Sequence, residues 1–150
     1  MEYSDVTKLE ARLIAGLKEE YSFYQSLFII IDKQRDYIKY DKEQKIVDLY
    51  GEVERIVQRI NESETAVSQL KAENQSLFSL AASAPEVRRL VNSITTLISK
   101  TLKLVQENEE IASARHQAIK EQLLQLQQGR RVADYLATPQ SSPQYVDKKN

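Results

Sequence analysis

Histidine and carboxylate side chains are the usual material of proton transfer and metal binding, and this chain has a single histidine, His116. Glu109 and Glu110 precede it by seven and six residues, so the Glu-x-x-His spacing that sets two ligands on one helical face does not occur. Cysteine is absent, which removes thiolate ligands, thiol nucleophiles and disulfides together. Gly16, Gly51 and Gly129 stand alone, so there is no glycine-rich phosphate loop, and no nucleophile stands at a recognisable spacing from a base. The cluster Glu52, Glu54, Arg55 and the pair Lys120, Glu121 mix signs at helical spacing, as an ordinary solvated face does. His116 is therefore read as solvated, and no enzyme activity, metal ion or cofactor is expected.

The elements that carry these residues are long helices. From residue 87 to 126 the apolar positions Leu90, Val91, Ile94, Leu97, Ile98, Leu104, Val105, Ile111, Ile119 and Leu126 recur mostly at steps of three and four. Roughly forty helical residues make a rod about 60 Å long, far beyond the average helix, and such a rod needs partner helices. A first helix is expected from about residue 5 to 39, capped by Ser4 or Asp5, with Val6, Leu9, Leu13, Leu17, Tyr24, Leu27, Ile31 and Ile38 on its stripe. Tyr21, Phe23, Phe28, Ile29 and Ile30 widen its apolar surface and place it in the middle of the core. A second stripe, from Ile46 through Leu49, Val53, Ile56, Ile60, Val67 and Leu70 to Phe78, covers residues 42 to 78.

No glycine or proline separates the first two stripes, but their phases differ by one residue. A one-residue slip turns an apolar face by about 100°, which predicts a tight reversal near Lys39 to Asp41, with Asp41 and Gln44 as a capping box. The next boundary is plainer: small residues in SLAASAPEV, Pro85 in a first helical turn, and Ser83 with Glu86 as another box. Gly129 is expected to stop the third helix, and the following GRRVADYLATPQSSPQYVDKKN is too polar and proline-rich to order itself. The predicted fold is all-α: a long antiparallel helical hairpin plus a longer third helix in a coiled-coil-like up-down-up bundle over residues 1–128, with a flexible tail over 129–150.

Composition agrees with one helical domain. The chain has 150 residues, with three glycines and three prolines, and 21 basic against 22 acidic residues leave a net charge of −1. Neither a nucleic-acid footprint nor a polybasic membrane surface is implied. The longest strongly apolar run, Leu27 to Ile31, cannot cross a bilayer, so no stable membrane insertion is expected. With no signal-peptide pattern in MEYSDVTKLE, the expected location is the cytoplasm.

Two features go beyond a plain bundle. Asn108 occupies the third-helix seam where Leu or Ile would pack better, in one row with Thr101 and Arg115; buried amides of this kind set helix register more often than they bind ligands. The second feature is a length mismatch. Folded back from Ser83, the third helix is expected to pass the first reversal near residue 121, leaving Leu123, Leu124 and Leu126 with little of their own chain opposite. Such a segment is covered by neighbours such as Tyr37 and Ile38, by a second copy, or by a partner helix docked in a groove.

The arrangement resembles the flagellar export chaperones of the FlgN type. The likeness spans nearly the whole chain: a helical hairpin, a longer third helix with an asparagine in its seam in LKLVQENEEI, and a tail with GRR, Tyr135 and the closing Tyr145, Val146, Asp147, Lys148 and Lys149. The resemblance implies a cytoplasmic chaperone that binds the C-terminal amphipathic helices of hook-filament junction proteins, prevents their self-association and delivers them to the type III export gate. On that reading Ile111, Ile119, Leu123, Leu124 and Leu126 bind cargo, and Tyr135 or Tyr145 contacts the cytoplasmic domain of the gate, although some members place glycine after the gate tyrosine where this chain has Leu136 and Val146. The chain is expected as a monomer or weak homodimer. The alternative is a structural coiled-coil adaptor whose stripe closes a homodimer with no cargo.

Overall fold

The computed structural model describes residues 2–137. They form α1 (Glu2–Lys39), α2 (Glu43–Glu73), α3 (Gln75–Ala82) and α4 (Pro85–Ala137), and no strand is present among them. A first compact unit ends at Ile111 and a second begins at Ala112, the boundary falling inside α4. Among the described residues no helix is long and apolar enough to cross a membrane.

Within the first unit, contacts between α1 and α2 step in opposite directions along the chain. The Lys45 ammonium stands over the Tyr37 ring, Tyr24 bonds Glu64, and Leu9 shares a cluster with Leu70, so the two helices are antiparallel. They pack tightly at Gly16, where a Cβ would lie 3.3 Å from Val67 Cγ2. Between α1 and α4 the steps run the same way, Lys18 to Glu86 and Arg35 to Glu107. The first unit is thus an up-down-up bundle with α1 touching each of the other helices. Leu13, Leu17, Val87 and Ile94 form its main buried cluster, the kind of apolar burial that offsets the entropy of ordering such long elements.

The predicted reversal falls at Tyr40–Lys42, but its chemistry differs from the capping box. The Lys42 amide donates to the Tyr37 carbonyl at 2.9 Å and the Asp41 amide to the Ile38 carbonyl at 3.4 Å, while Asp41 takes φ 54°. This is the Schellman closure of a helix, with aspartate in the left-handed position that glycine usually holds. α2 starts from Lys42 with no side-chain cap, and Gln44 Nε2 donates instead to Asp48 Oδ1 at 3.1 Å. Ser83 likewise closes α3, its hydroxyl donating to the Leu80 carbonyl at 2.6 Å, while Glu86 pairs with Lys18 at 3.5 Å. Pro85 opens α4 as expected.

Two breaks in the expected pattern alter the architecture. The second rod does not reach residue 78 unbroken, because Asn74 interrupts it: its side-chain amide donates to the Leu70 carbonyl at 2.9 Å, and the chain resumes as α3. Short amide side chains compete in this way with the backbone ladder. α3 then packs against α1, with Leu77 and Ala81 near Leu9 and with Phe78 and Ala82 against the Leu13 and Leu17 cluster. α4 consequently starts beside Lys18, not beside the first turn of α1. In the register of Arg35 with Glu107, the last residue of α1, Lys39, is level with Ile111, well before the position near residue 121 expected from helix length alone. At the other end, α4 continues through Gly129 to Ala137. One glycine costs a helix about 1 kcal/mol relative to alanine, too little to stop it between Leu, Gln and Arg. The expected tail from 129 is therefore helical over 129–137, and the remainder lies outside the described residues.

Candidate functional site

Asn108 is the last buried side chain of α4 among the described residues, at 3% exposure. Its amide donates to the Ile31 carbonyl at 2.9 Å and to Gln34 Oε1 at 3.3 Å. Beside it Arg35 bonds Glu107 Oε2 at 3.1 Å. An amide that reaches a backbone carbonyl on another helix can do so at one register only, which suits the register role expected of it. Thr101, in the same row, is buried and returns its hydroxyl to the Leu97 carbonyl of its own helix at 2.8 Å.

From Ala112 to Leu126 the helix has no buried side chain. Ile119, Leu123 and Leu126 step by four and three residues and so share one face; Leu124 flanks it. Leu123 is 52% exposed and Leu126 70%, with Ile119 and Leu124 also exposed. Ile111 belongs to the first unit and is half-buried. Of the two tyrosines assigned to the gate, Tyr135 lies in the last turns of α4 and Tyr145 lies outside the described residues. His116 is exposed, and among the described residues no group of three or more His, Cys, Asp or Glu could hold a metal ion.

No family model matches the chain, and neither a curated protein nor a solved structure is significantly similar to it. The site therefore rests on its own geometry: an exposed apolar stripe on α4, with a pinned register in the preceding turns.

One buried group was not anticipated. Glu20 is only 8% exposed. Burial, and after it the neighbouring Glu64 carboxylate, which repels a second charge and accepts the Glu20 proton, push its pKa up to about 7. Tyr24 completes the group, its hydroxyl donating to Glu64 Oε1 at 2.9 Å, with its own pKa raised to about 12 by burial and then by Glu64. The signal was present in the spacing: Leu13, Leu17, Glu20, Tyr24, Leu27 and Ile31 form one unbroken row, and Glu20 fills a core position in it. A carboxyl whose pKa is raised by burial in a helix seam beside a second carboxylate makes a pH-sensitive element of stability.

Proposed function

We propose that this chain is a cytoplasmic export chaperone of the FlgN type, which holds the C-terminal amphipathic helices of flagellar hook-filament junction proteins and delivers them to the export gate. The single observation that carries the docking part is the exposed row Ile119, Leu123 and Leu126 on α4, with Leu124 beside it. The likeness around Asn108 and in the tail supports the family. A helix of a secreted subunit is apolar on one side and self-associates; laid along this row it is removed from water at about 25 cal/mol per Å². Ordering costs offset part of that gain, which suits cargo that must later be released. The reading assigns no catalysis to the chain.

Pull-down with the C-terminal peptide of a junction protein from the same genome tests the reading. The full chain captures it, and the Leu123→Glu, Leu126→Glu variant does not. Truncation after Arg131 spares capture and abolishes delivery if Tyr135 or Tyr145 meets the gate. Failure of the unaltered chain to capture any junction peptide would overturn the proposal. A homodimeric adaptor is the second reading, favoured by the same coiled-coil spacing on α4; sedimentation showing a concentration-dependent dimer lost in the Leu123→Glu, Leu126→Glu variant, with no peptide captured, would establish it instead.

A further inference from the structure

The break at Asn74 leaves a trough of about 790 Å³ beside α3, open to solvent along one side. Its lining is mostly apolar surface, with Ala72, Phe78 and Ala82 interspersed with three serines and Gln75, and Lys71 and Arg88 are its only charged residues, with no carboxylate among them. Lys71 is held with its ammonium 5.9 Å from the Phe78 ring centroid, where a cation gains from the ring face without losing its water. Through Phe78, Ala82 and Arg88 the trough adjoins a second cavity of about 400 Å³ that reaches the core residues Leu13, Leu17, Val67 and Val87. α3 itself is short and apolar, and Leu80 on its outer side is 61% exposed.

We propose that this trough is a docking site for an acidic amphipathic segment of a partner protein. The segment places an aromatic or aliphatic side chain between Ala72, Phe78 and Ala82 and sets its carboxylates against Lys71 and Arg88. Charge selects the occupant: two cations in a mostly apolar lining attract an acidic partner and repel a basic one. The open side favours a side chain presented by a peptide over a small molecule, which gains most from an enclosed pocket. The site lies wholly in the first unit and is independent of the export reading.

Two fluorescent helical peptides test it by anisotropy against the full chain. Both carry Leu and Phe along one face; the other face is Glu in one and Lys in the other. The acidic peptide is expected to bind at least about tenfold more tightly at low salt, with the difference shrinking as salt is added. Lys71→Glu with Arg88→Glu, both exposed positions, reverses the preference. Ala82→Trp fills the trough without altering charge and weakens the acidic peptide. The Leu123→Glu, Leu126→Glu variant binds it as the unaltered chain does, which separates this site from the α4 row. Equal affinity for the two peptides, an acidic preference that survives the double reversal, or no binding of either at millimolar peptide would each overturn the proposal. So would amide shifts at Ala72 and Ala82 produced by decanoate and not by the acidic peptide, or a change in the chain's own sedimentation as the only effect of the double reversal.

Discussion

The two parts of α4 carry the same kind of apolar spacing and opposite burial. Leu90, Ile94, Leu97 and, through Thr101, Leu104 step along the helix by four and three residues, as a bundle needs, and each is half or fully buried in the first unit. Ile119, Leu123 and Leu126 keep those intervals and are exposed. Periodicity therefore reports that a face wants cover, and not whether the chain itself provides it. The buried part carries the packing of the first unit; the exposed part does not.

The sharpest way to break this contrast is to truncate side chains on the buried side. Leu13→Ala, in the main cluster at 2% exposure, is expected to cost about 2–5 kcal/mol in urea unfolding. A loss below about 1 kcal/mol would mean that the cluster is loose and that the contrast is one of degree.

Glu20→Gln is the next largest effect. Below pH 4.5 the folded and unfolded states both hold the Glu20 proton; from there to about pH 7 the unfolded chain releases it while the folded chain keeps it, so this group's contribution to stability declines as pH rises. The glutamine variant is thus expected to gain about 1–3 kcal/mol over the unaltered chain at pH 7.5 and little at pH 4. Parallel stability curves for the two proteins across that range would exclude a raised pKa at Glu20.

Smaller still is the reversal. Asp41→Gly removes a side chain from a left-handed position and is expected to stabilise by up to about 1 kcal/mol, read as a rise in melting temperature. A fall would mean that Asp41 earns its place through its side chain. Smallest of all is the exposed side of the contrast, where Leu123→Glu with Leu126→Glu is expected to change stability by no more than about 0.5 kcal/mol. A melting temperature lowered by many degrees would make these leucines core and dissolve the docking row.

How far the site could be read from sequence follows the same division. The row on α4 was visible, because three- and four-residue steps of Ile119, Leu123 and Leu126 survive in any helix. Asn108 was visible as an amide in an apolar seam, but its partners, the Ile31 carbonyl and Gln34, lie more than seventy residues away. The Lys71 and Arg88 trough was not visible, since it exists only because Asn74 turns the chain, and a lone asparagine in a long apolar row looks like a tolerated substitution.

By itself the sequence determined the all-helical class, the reversal near Tyr40 and the apolar face of each long rod, because helical hydrogen bonds and side-chain periodicity act within four residues and are set by local composition. It did not determine the break at Asn74 or the run of α4 past Gly129. Only the tertiary structure decided that α3 packs against α1, that α4 starts beside Lys18, and that Glu20 is buried near Glu64 with its pKa raised. Those outcomes are sums of many weak contacts between distant segments, and no local preference ranks one register of a long helix against the next.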